Sequence, residues 1–428
     1  AATLNLPAQT DAAAWTLRSA VTAARTHSPE ADIAAARLER AQAMVDQTGA
    51  GRLPQVMLRA GYTQTNNPMM AFGSILNQVA FTPGIDFNNP GQVDNLNVTG
   101  TIAYNLYSGG RVSAHQAAAQ SQVTASERDR DATFARLDAA VVRAYFNIRQ
   151  TREAVAALEA AVNTYIESLR VARLRFDSGK SLKSELLNLE VELAQTQAQH
   201  LAARQQANLA ERQFLYLLGQ PPVAGTPVGL ADTDPTIATL AVPTSASIEQ
   251  RPERHALDAR REAAAAAVTA ASATRRPTLN AFASYQLDKG WRLNGDGDSW
   301  MAGLQAEWAI FDGKSTAGKI RETRADLSAT EAAQRQLELG LQLELEQARL
   351  AHTFAAEQLA VTTTLVAQAE EAARMSRERF EAGALLSAEL IAVETRLTSA
   401  RVRRAVATAT ERIAVADFRR AAGVPILP

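Results

Sequence analysis

The chain has 428 residues and sets 44 Lys and Arg against 45 Asp and Glu, a formal net charge of −1. That balance excludes the basic footprint of a nucleic-acid-binding surface and a polybasic membrane anchor. Hydrophobic residues make up 46% but aromatics only 5%, with alanine supplying much of the apolar share, so long helices with thin seams are favoured over a thick globular core.

In chain order, the opening Ala1-Ala2-Thr3-Leu4 lacks a basic stretch followed by an apolar one, and the expectation is that the numbering starts after a removed signal peptide. Short helices are expected over 11–50, strands over 53–64 and 95–108, and long helices over 112–177 and 181–218. A linker over 220–247 follows, rich in Pro, Gly, Ala and Thr. Then come a helix over 253–275, strands over 277–287 and 299–311, long helices over 315–382 and 385–422, and a short tail. The interval between the first two strands holds Asn66-Asn-Pro-Met-Met and Thr82-Pro-Gly and reads as a loop.

This order is one unit written twice, residues 1–219 and 248–428. Arg173-Leu-Arg-Phe-Asp-Ser-Gly179 recurs as Arg377-Glu-Arg-Phe-Glu-Ala-Gly383, an offset of 204 residues. The match runs on through Leu182/Leu386, Glu185/Glu389 and Leu186/Leu390 to Gly219/Gly423, and upstream to Tyr104/Trp308. Before the first strand loop the offset is 223 (Tyr62 to Tyr285), so the first copy carries 19 more residues in that loop. From Val112 to Phe176 there is neither Gly nor Pro, enough for a helix reaching ~100 Å. Val155, Leu158, Val162, Tyr165, Leu169, Ala172 and Phe176 alternate spacings of three and four, as do Leu182, Leu186, Leu189 and Leu193. These are heptad seams, and such narrow stripes require partner helices.

The strands alternate. Leu96, Val98, Ile102, Tyr104 and Leu106 oppose Asn95, Asn97, Thr99, Thr101 and Asn105; Val56, Leu58, Ala60 and Tyr62 oppose Gln55, Met57, Arg59, Gly61 and Thr63. In the second copy Leu279, Ala281, Ala283 and Tyr285 face one way, as do Trp300, Ala302, Leu304, Ala306 and Trp308. One alternative is an antiparallel sheet packed on helices. A lipid-embedded barrel is favoured by the strand lengths, by long polar loops over Gln64–Asp94 and Asp288–Asp298, and by aromatics near strand ends. Those aromatics, Tyr62, Tyr104, Tyr107, Tyr285, Trp300, Trp308 and Phe311, fit interfacial girdles. Four strands cannot close a barrel, and open edges in lipid are forbidden, so several chains must share one. Two would give eight strands and a filled interior; three would give twelve and a water-filled bore.

Taken with these features, Trp15 to Glu30, Leu53-Pro54-Gln55, Tyr107-Ser-Gly-Gly-Arg111 and the doubled Arg-Phe-x-x-Gly turns resemble the TolC family of outer-membrane efflux proteins, over nearly the whole chain. The resemblance implies a mixed α/β membrane protein whose tandem-duplicated protomer gives four strands to a shared 12-stranded outer-membrane β-barrel. Long coiled-coil helices continue it as a periplasmic α-barrel, in a homotrimer. It also implies an equatorial region in Gln220 to Ser247 and the C-terminal tail. The implied partners are outer-membrane lipid, a periplasmic membrane-fusion adaptor and an inner-membrane transporter of RND, ABC or MFS type. The implied activity is passive export of small molecules or type I secreted proteins, without enzyme chemistry or a cofactor. By position, Glu185 and Glu389 match the family's acidic gate, although both also read as solvated glutamates flanking a heptad seam. Three residues on, Asn188 and Ala392 stand where the family has a second acid. Arg173, Arg175, Gly179, Arg377, Arg379 and Gly383 are expected to make adaptor or latch contacts at the helix tips.

No other chemistry emerges. There is no cysteine among the 428 residues, which leaves no disulfide, thiolate catalysis or Cys-ligated metal within them and sets the expectation of no lipidated N-terminal Cys, and the five histidines form no ligand spacing. Asn294-Gly-Asp-Gly-Asp298 lacks the calcium-loop glycine and glutamate and reads as a turn; Asn97-Val-Thr99 reads as polar lining, not a glycosylation site. A periplasmic coiled-coil adaptor without a pore is the alternative function, but it leaves the four alternating strands unexplained.

Overall fold

The computed structural model describes residues 14–222, 228–231, 234, 237, 240–243 and 246–427. Helices α1 (Leu17–His27) and α2 (Pro29–Gly49) come first, then strand β1 (Gln55–Thr65), helix α3 (Pro68–Asn77) and strand β2 (Val93–Tyr107). The long helices α4 (Arg111–Asp177) and α5 (Lys183–Leu217) follow. The second half runs α6 (Pro252–Ala273), β3 (Thr278–Gly290), β4 (Gly295–Glu307), α7 (Ser315–Glu381) and α8 (Ser387–Ala421). A capping box starts α1, with the Ser19 N–H donating to Thr16 Oγ1 at 3.1 Å and the Thr16 N–H to Ser19 Oγ at 3.0 Å.

The internal repeat is visible in the element bounds. Helices α4 and α7 have 67 residues each, and α5 and α8 have 35 each. Each start and end, such as Arg111 with Ser315 or Leu217 with Ala421, is separated by the same 204 residues. Such lengths persist because alanine and the charged residues are good helix formers and neither Gly nor Pro interrupts α4.

Three expectations need correction. The loop after the first strand contains helix α3, begun by Asn67, whose side chain accepts from the Met69 N–H at 3.1 Å, with Pro68 in the first turn. Strands β3 and β4 continue into the stretch expected to be a long polar loop, pairing as far as Gly290 with Gly295 and leaving only a tight connection. Glycine permits this, because a Cβ at Gly290 would lie 2.1 Å from Gln78 Oε1 and one at Gly297 would lie 2.2 Å from the Asn77 carbonyl. Strand β4 therefore runs over Gly295–Glu307 instead of 299–311, and Trp308 and Phe311 lie beyond its end. Parts of the expected helix start (11–13) and linker (223–227, 232–233, 235–236, 238–239 and 244–245) lie outside the described residues.

The chain divides into two compact units. One comprises the described residues of Ala1–Arg37, Glu127–His255 and Arg335–Pro428. Its main core packs Leu17 and Val21 of α1 against Leu137, Val141, Tyr145 and Ile148 of α4, Phe214 of α5 and Val415 of α8. Val228 and Leu240 of the linker join this core, and Arg419 donates to the Ala241 carbonyl at 2.8 Å. Gly219 ends α5 at φ +71°, with its Cα so close to α1 that a Cβ would lie 2.0 Å from the His27 carbonyl oxygen. Both the left-handed backbone and the close approach demand glycine. The other unit, Leu38–Ser126 and Ala256–Gln334, holds an antiparallel sheet in the order β1-β2-β3-β4, with β1 and β4 at its edges. No described helix is long and apolar enough to cross a membrane.

Candidate pore and gate

The sheet register converts the alternation of each strand into two continuous faces. Val56 lies opposite Ile102, Tyr62 opposite Leu96, Val98 opposite Leu287, Tyr104 opposite Ala281, and Ala281 in turn opposite Leu304. Successive Cβ atoms point to opposite sides of a strand, so these residues share one face. That face is bare: Val56, Leu58, Trp300 and Leu304 are each more than two-thirds exposed. A contiguous exposed apolar surface marks a lipid or protein contact.

The opposite face is polar and internally bonded. Asp288 Oδ1 accepts from Asn95 Nδ2 at 2.6 Å and Asn97 Nδ2 at 2.9 Å, while Gln286 Nε2 donates to Asp288 Oδ2 at 2.6 Å. Thr99 Oγ1 donates to Asn97 Oδ1 at 2.8 Å, and Asn105 pairs with Asn280 at 3.0 Å. Strand β3 has 13 residues, about 40 Å of extended chain, which at a tilt near 45° spans a hydrocarbon layer of roughly 30 Å.

Of the expected girdle aromatics, Tyr104 and Tyr107 lie toward the end of β2 and Tyr62 toward the end of β1, its ring centroid 6.0 Å from that of Trp291. The Trp308 indole N–H donates to the Arg275 carbonyl at 3.0 Å, and Phe311 is exposed. Tyr285 and Trp300 instead pair with each other inside β3 and β4, because those strands extend further than the sequence indicates.

The helix tips hold the remaining candidates. Glu185 and Glu389 sit in the first turns of α5 and α8, where a carboxylate stabilises the free N–H groups of the helix start. Glu185 Oε2 accepts from Ser181 Oγ at 3.0 Å, and Glu389 is exposed. Each turn closes on a left-handed glycine, Gly179 at φ +72° and Gly383 at φ +82°. Arg173 pairs across its turn with Glu190 at 3.0 Å, and Arg377 with Glu394 at 2.5 Å. These pairs are copies of one another at the repeat offset. They differ in the burial of the carboxylate: the Glu394 side chain is 3% exposed beside an Arg377 that is 39% exposed, whereas the side chains of Arg173 and Glu190 are 59% and 39% exposed.

The sequence reading missed Glu190, Glu394 and Tyr165 as tip residues, although the repetition of Arg…Glu seventeen residues apart was available as a signal. Tyr165, Ala172, Leu189, Phe380 and Leu390 form a small core joining the two hairpin tips. The Tyr165 hydroxyl lies 3.2 Å from Thr395 Oγ1. Burial pushes its pKa up to about 12, with Glu192 and Glu394 acting in the same direction against the Thr395 hydrogen bond. No group of three His, Asp or Glu able to hold a metal ion occurs among the described residues.

A sheet with an apolar and a polar face, carried on tandem helical hairpins, defines the subunit of an outer-membrane channel. A family model described as "Outer membrane efflux protein" matches residues 20–220 and 244–424, and the chain belongs to that family. It lies in the outer membrane with a large periplasmic part and serves as an efflux or secretion duct. It is 28% identical over 428 residues to Protein CyaE of Bordetella pertussis, covering 95% of this chain and 84% of that one. It is 27% identical over 250 residues to the outer membrane efflux protein BepC of Brucella suis, covering 58% of this chain and 53% of that one. Its fold is similar to that of the outer membrane protein VceC from Vibrio cholerae, with a TM-score of 0.78, 19% identity, and 96% of each chain covered. Proteins of this family generally form trimers and work with adaptors and inner-membrane pumps.

Proposed function

We propose that three copies of this chain close one twelve-stranded barrel, apolar face to lipid and polar face to a water-filled lumen. The long helices α4, α5, α7 and α8 of the three copies line the periplasmic tunnel. The observation that carries this reading is the four-stranded sheet with its two edges and its apolar face uncovered. Unpaired strand edges in hydrocarbon cost several kcal/mol for each unsatisfied group, so the edges must meet those of other copies. A coiled-coil adaptor without a pore has no use for such a sheet.

Substrates, either small molecules or type I secreted proteins, pass through by way of an inner-membrane pump and a periplasmic adaptor that meets the exposed turns at Gly179 and Gly383. The duct itself carries out no reaction. Its gate is the set of helix tips, where Glu185 and Glu389 of three copies bring six carboxylates near one axis and favour cations. Arg173 and Arg377 act as latches within their hairpins through Glu190 and Glu394. Reversal potentials in a planar bilayer test the gate: the double variant Glu185→Ala/Glu389→Ala loses cation preference while the pore persists. An unchanged preference would move the selectivity elsewhere along the lumen.

A further inference from the structure

Helix α3 belongs to the extra residues of the first repeat and has no counterpart in the second, where a tight connection joins β3 to β4. Its contacts fix the side of the sheet on which it lies. Asn97 stands opposite Asp288, Asp288 opposite Gly297, and two residues further along β3, Gly290 stands opposite Gly295. Asp288 belongs to the polar face, so the three glycines do too. Residues Asn77 to Ala80 occupy the space that side chains would fill there. A Cβ at Gly290 would lie 2.1 Å from Gln78 Oε1, one at Gly295 would lie 2.7 Å from the Gln78 carbonyl oxygen, and one at Gly297 would lie 2.2 Å from that of Asn77. Gln78 Nε2 donates to the Asp94 carbonyl at 2.7 Å and to Asn95 Oδ1 at 2.9 Å, the same Asn95 that bonds Asp288. Val93, two residues before Asn95, is an apolar residue in a polar-face position, and it is buried with Ala71 and Ile75 of α3. The helix is therefore folded over the polar face, at the end of the strands opposite to that from which α4 leaves.

The side of α3 turned away from the sheet is apolar. Met69 is 82% exposed and Leu76 49%, with Gly73 between them at spacings of four and three, so the three share one face, opposite to Ala71 and Ile75. A Cβ at Gly73 would meet nothing within 4 Å, and glycine inside a helix costs about 1 kcal/mol relative to alanine. No described contact within the chain requires a glycine there.

We infer that the stripe Met69-Gly73-Leu76 packs against the same stripe of the two other copies and closes the outer mouth of the barrel as an apolar iris. The inference rests on the twelve-stranded barrel proposed above. Strands ~4.8 Å apart and tilted by ~45° give twelve of them a backbone radius of ~13 Å, and a helix with its side chains is ~10–12 Å across, so three helices seated on the inner wall reach the axis. Gly73 lets their backbones approach closely, and Met69 and Leu76 leave water by packing on one another. Lipid is not the occupant, because it covers the other face of the sheet. While the helices touch, the apolar constriction excludes hydrated ions, and it conducts in the steps during which they part.

Because the chain has no cysteine, single thiols test this without background. Purified Leu76→Cys protein in detergent is treated with a short bis-thiosulfonate cross-linker, with Leu287→Cys, on the apolar face of β3, as the control. Leu76→Cys is expected to run as two covalently joined chains on a denaturing gel and the control as one. In a planar bilayer the cross-linked Leu76→Cys sample is expected to lose its conducting steps, and a reductant to restore them. Leu76→Cys chains that stay single on the gel, in a sample whose native mass is that of three chains, overturn the iris and leave the shared barrel standing. Cross-linked chains whose current is unchanged overturn the closure of the mouth, and a native mass of one chain overturns both iris and barrel.

Discussion

Replacing Arg377 by alanine isolates the buried charge at the second helix tip. Glu394 is 2% exposed, and the Arg377 guanidinium lies 2.5 Å from its carboxylate. The Arg377 side chain is 39% exposed, so water screens part of the pair, and losing it leaves the buried Glu394 carboxylate uncompensated at a cost of about 1–3 kcal/mol, below that of a fully buried pair. Arg170 offers the contrast: it pairs with Glu167 at 2.9 Å one turn away, both side chains more than 60% exposed, and such pairs contribute about 0.5 kcal/mol or less. Hydrogen exchange of the amides over 387–400 in the detergent-solubilised protein reads the local opening of α8. At tenfold per 1.4 kcal/mol, Arg377→Ala raises that opening by roughly one to two decades, and Arg170→Ala by less than about threefold. Adding Glu394→Leu to Arg377→Ala restores most of the protection, because both charges are then gone. Equal exchange in Arg377→Ala and Arg170→Ala would refute the reasoning.

Further outcomes follow from the same structure. Because burial raises Tyr165 to about 12 from an ordinary 10.0, the folded state favours the neutral phenol; its contribution is complete below pH 10 and is lost as pH rises toward 12. An ultraviolet titration of the wild type against Tyr165→Phe reads this as one late-titrating tyrosine that the variant lacks. Gly219→Ala places a Cβ against the His27 carbonyl in a left-handed backbone, and thermal unfolding is expected to reveal a loss of about 1–3 kcal/mol. On the sheet, Leu304→Arg puts a charge on the apolar face and costs about 2–4 kcal/mol on folding into lipid vesicles, whereas Thr101→Arg on the polar face folds normally and shifts ion selectivity.

The sequence carried the duplication, the long helices and the strand faces, because periods of two and of three to four survive translation into structure unchanged. The equal spacing of Arg111 and Ser315 from Asp177 and Glu381 follows directly from the repeat. Helix α3 was signalled by Asn67-Pro68 but masked by its proline and asparagine neighbours, which also mark loops. The extension of β3 and β4 to Gly290 and Gly295 depends on residues Asn77 and Gln78 packing against the strand glycines, a tertiary contact with no local sequence mark. Likewise, nothing in the sequence distinguishes Arg175 from Arg379, or Glu190 from Glu394. Their surroundings differ only because one hairpin tip covers the other within the chain.

Single-channel recording of the purified protein in a planar bilayer tests the central claim most directly. A shared barrel predicts discrete ion-conducting steps from a sample whose native mass is that of three chains. A detergent-solubilised trimer that inserts and passes no current would contradict the account, and so would current from a monomer.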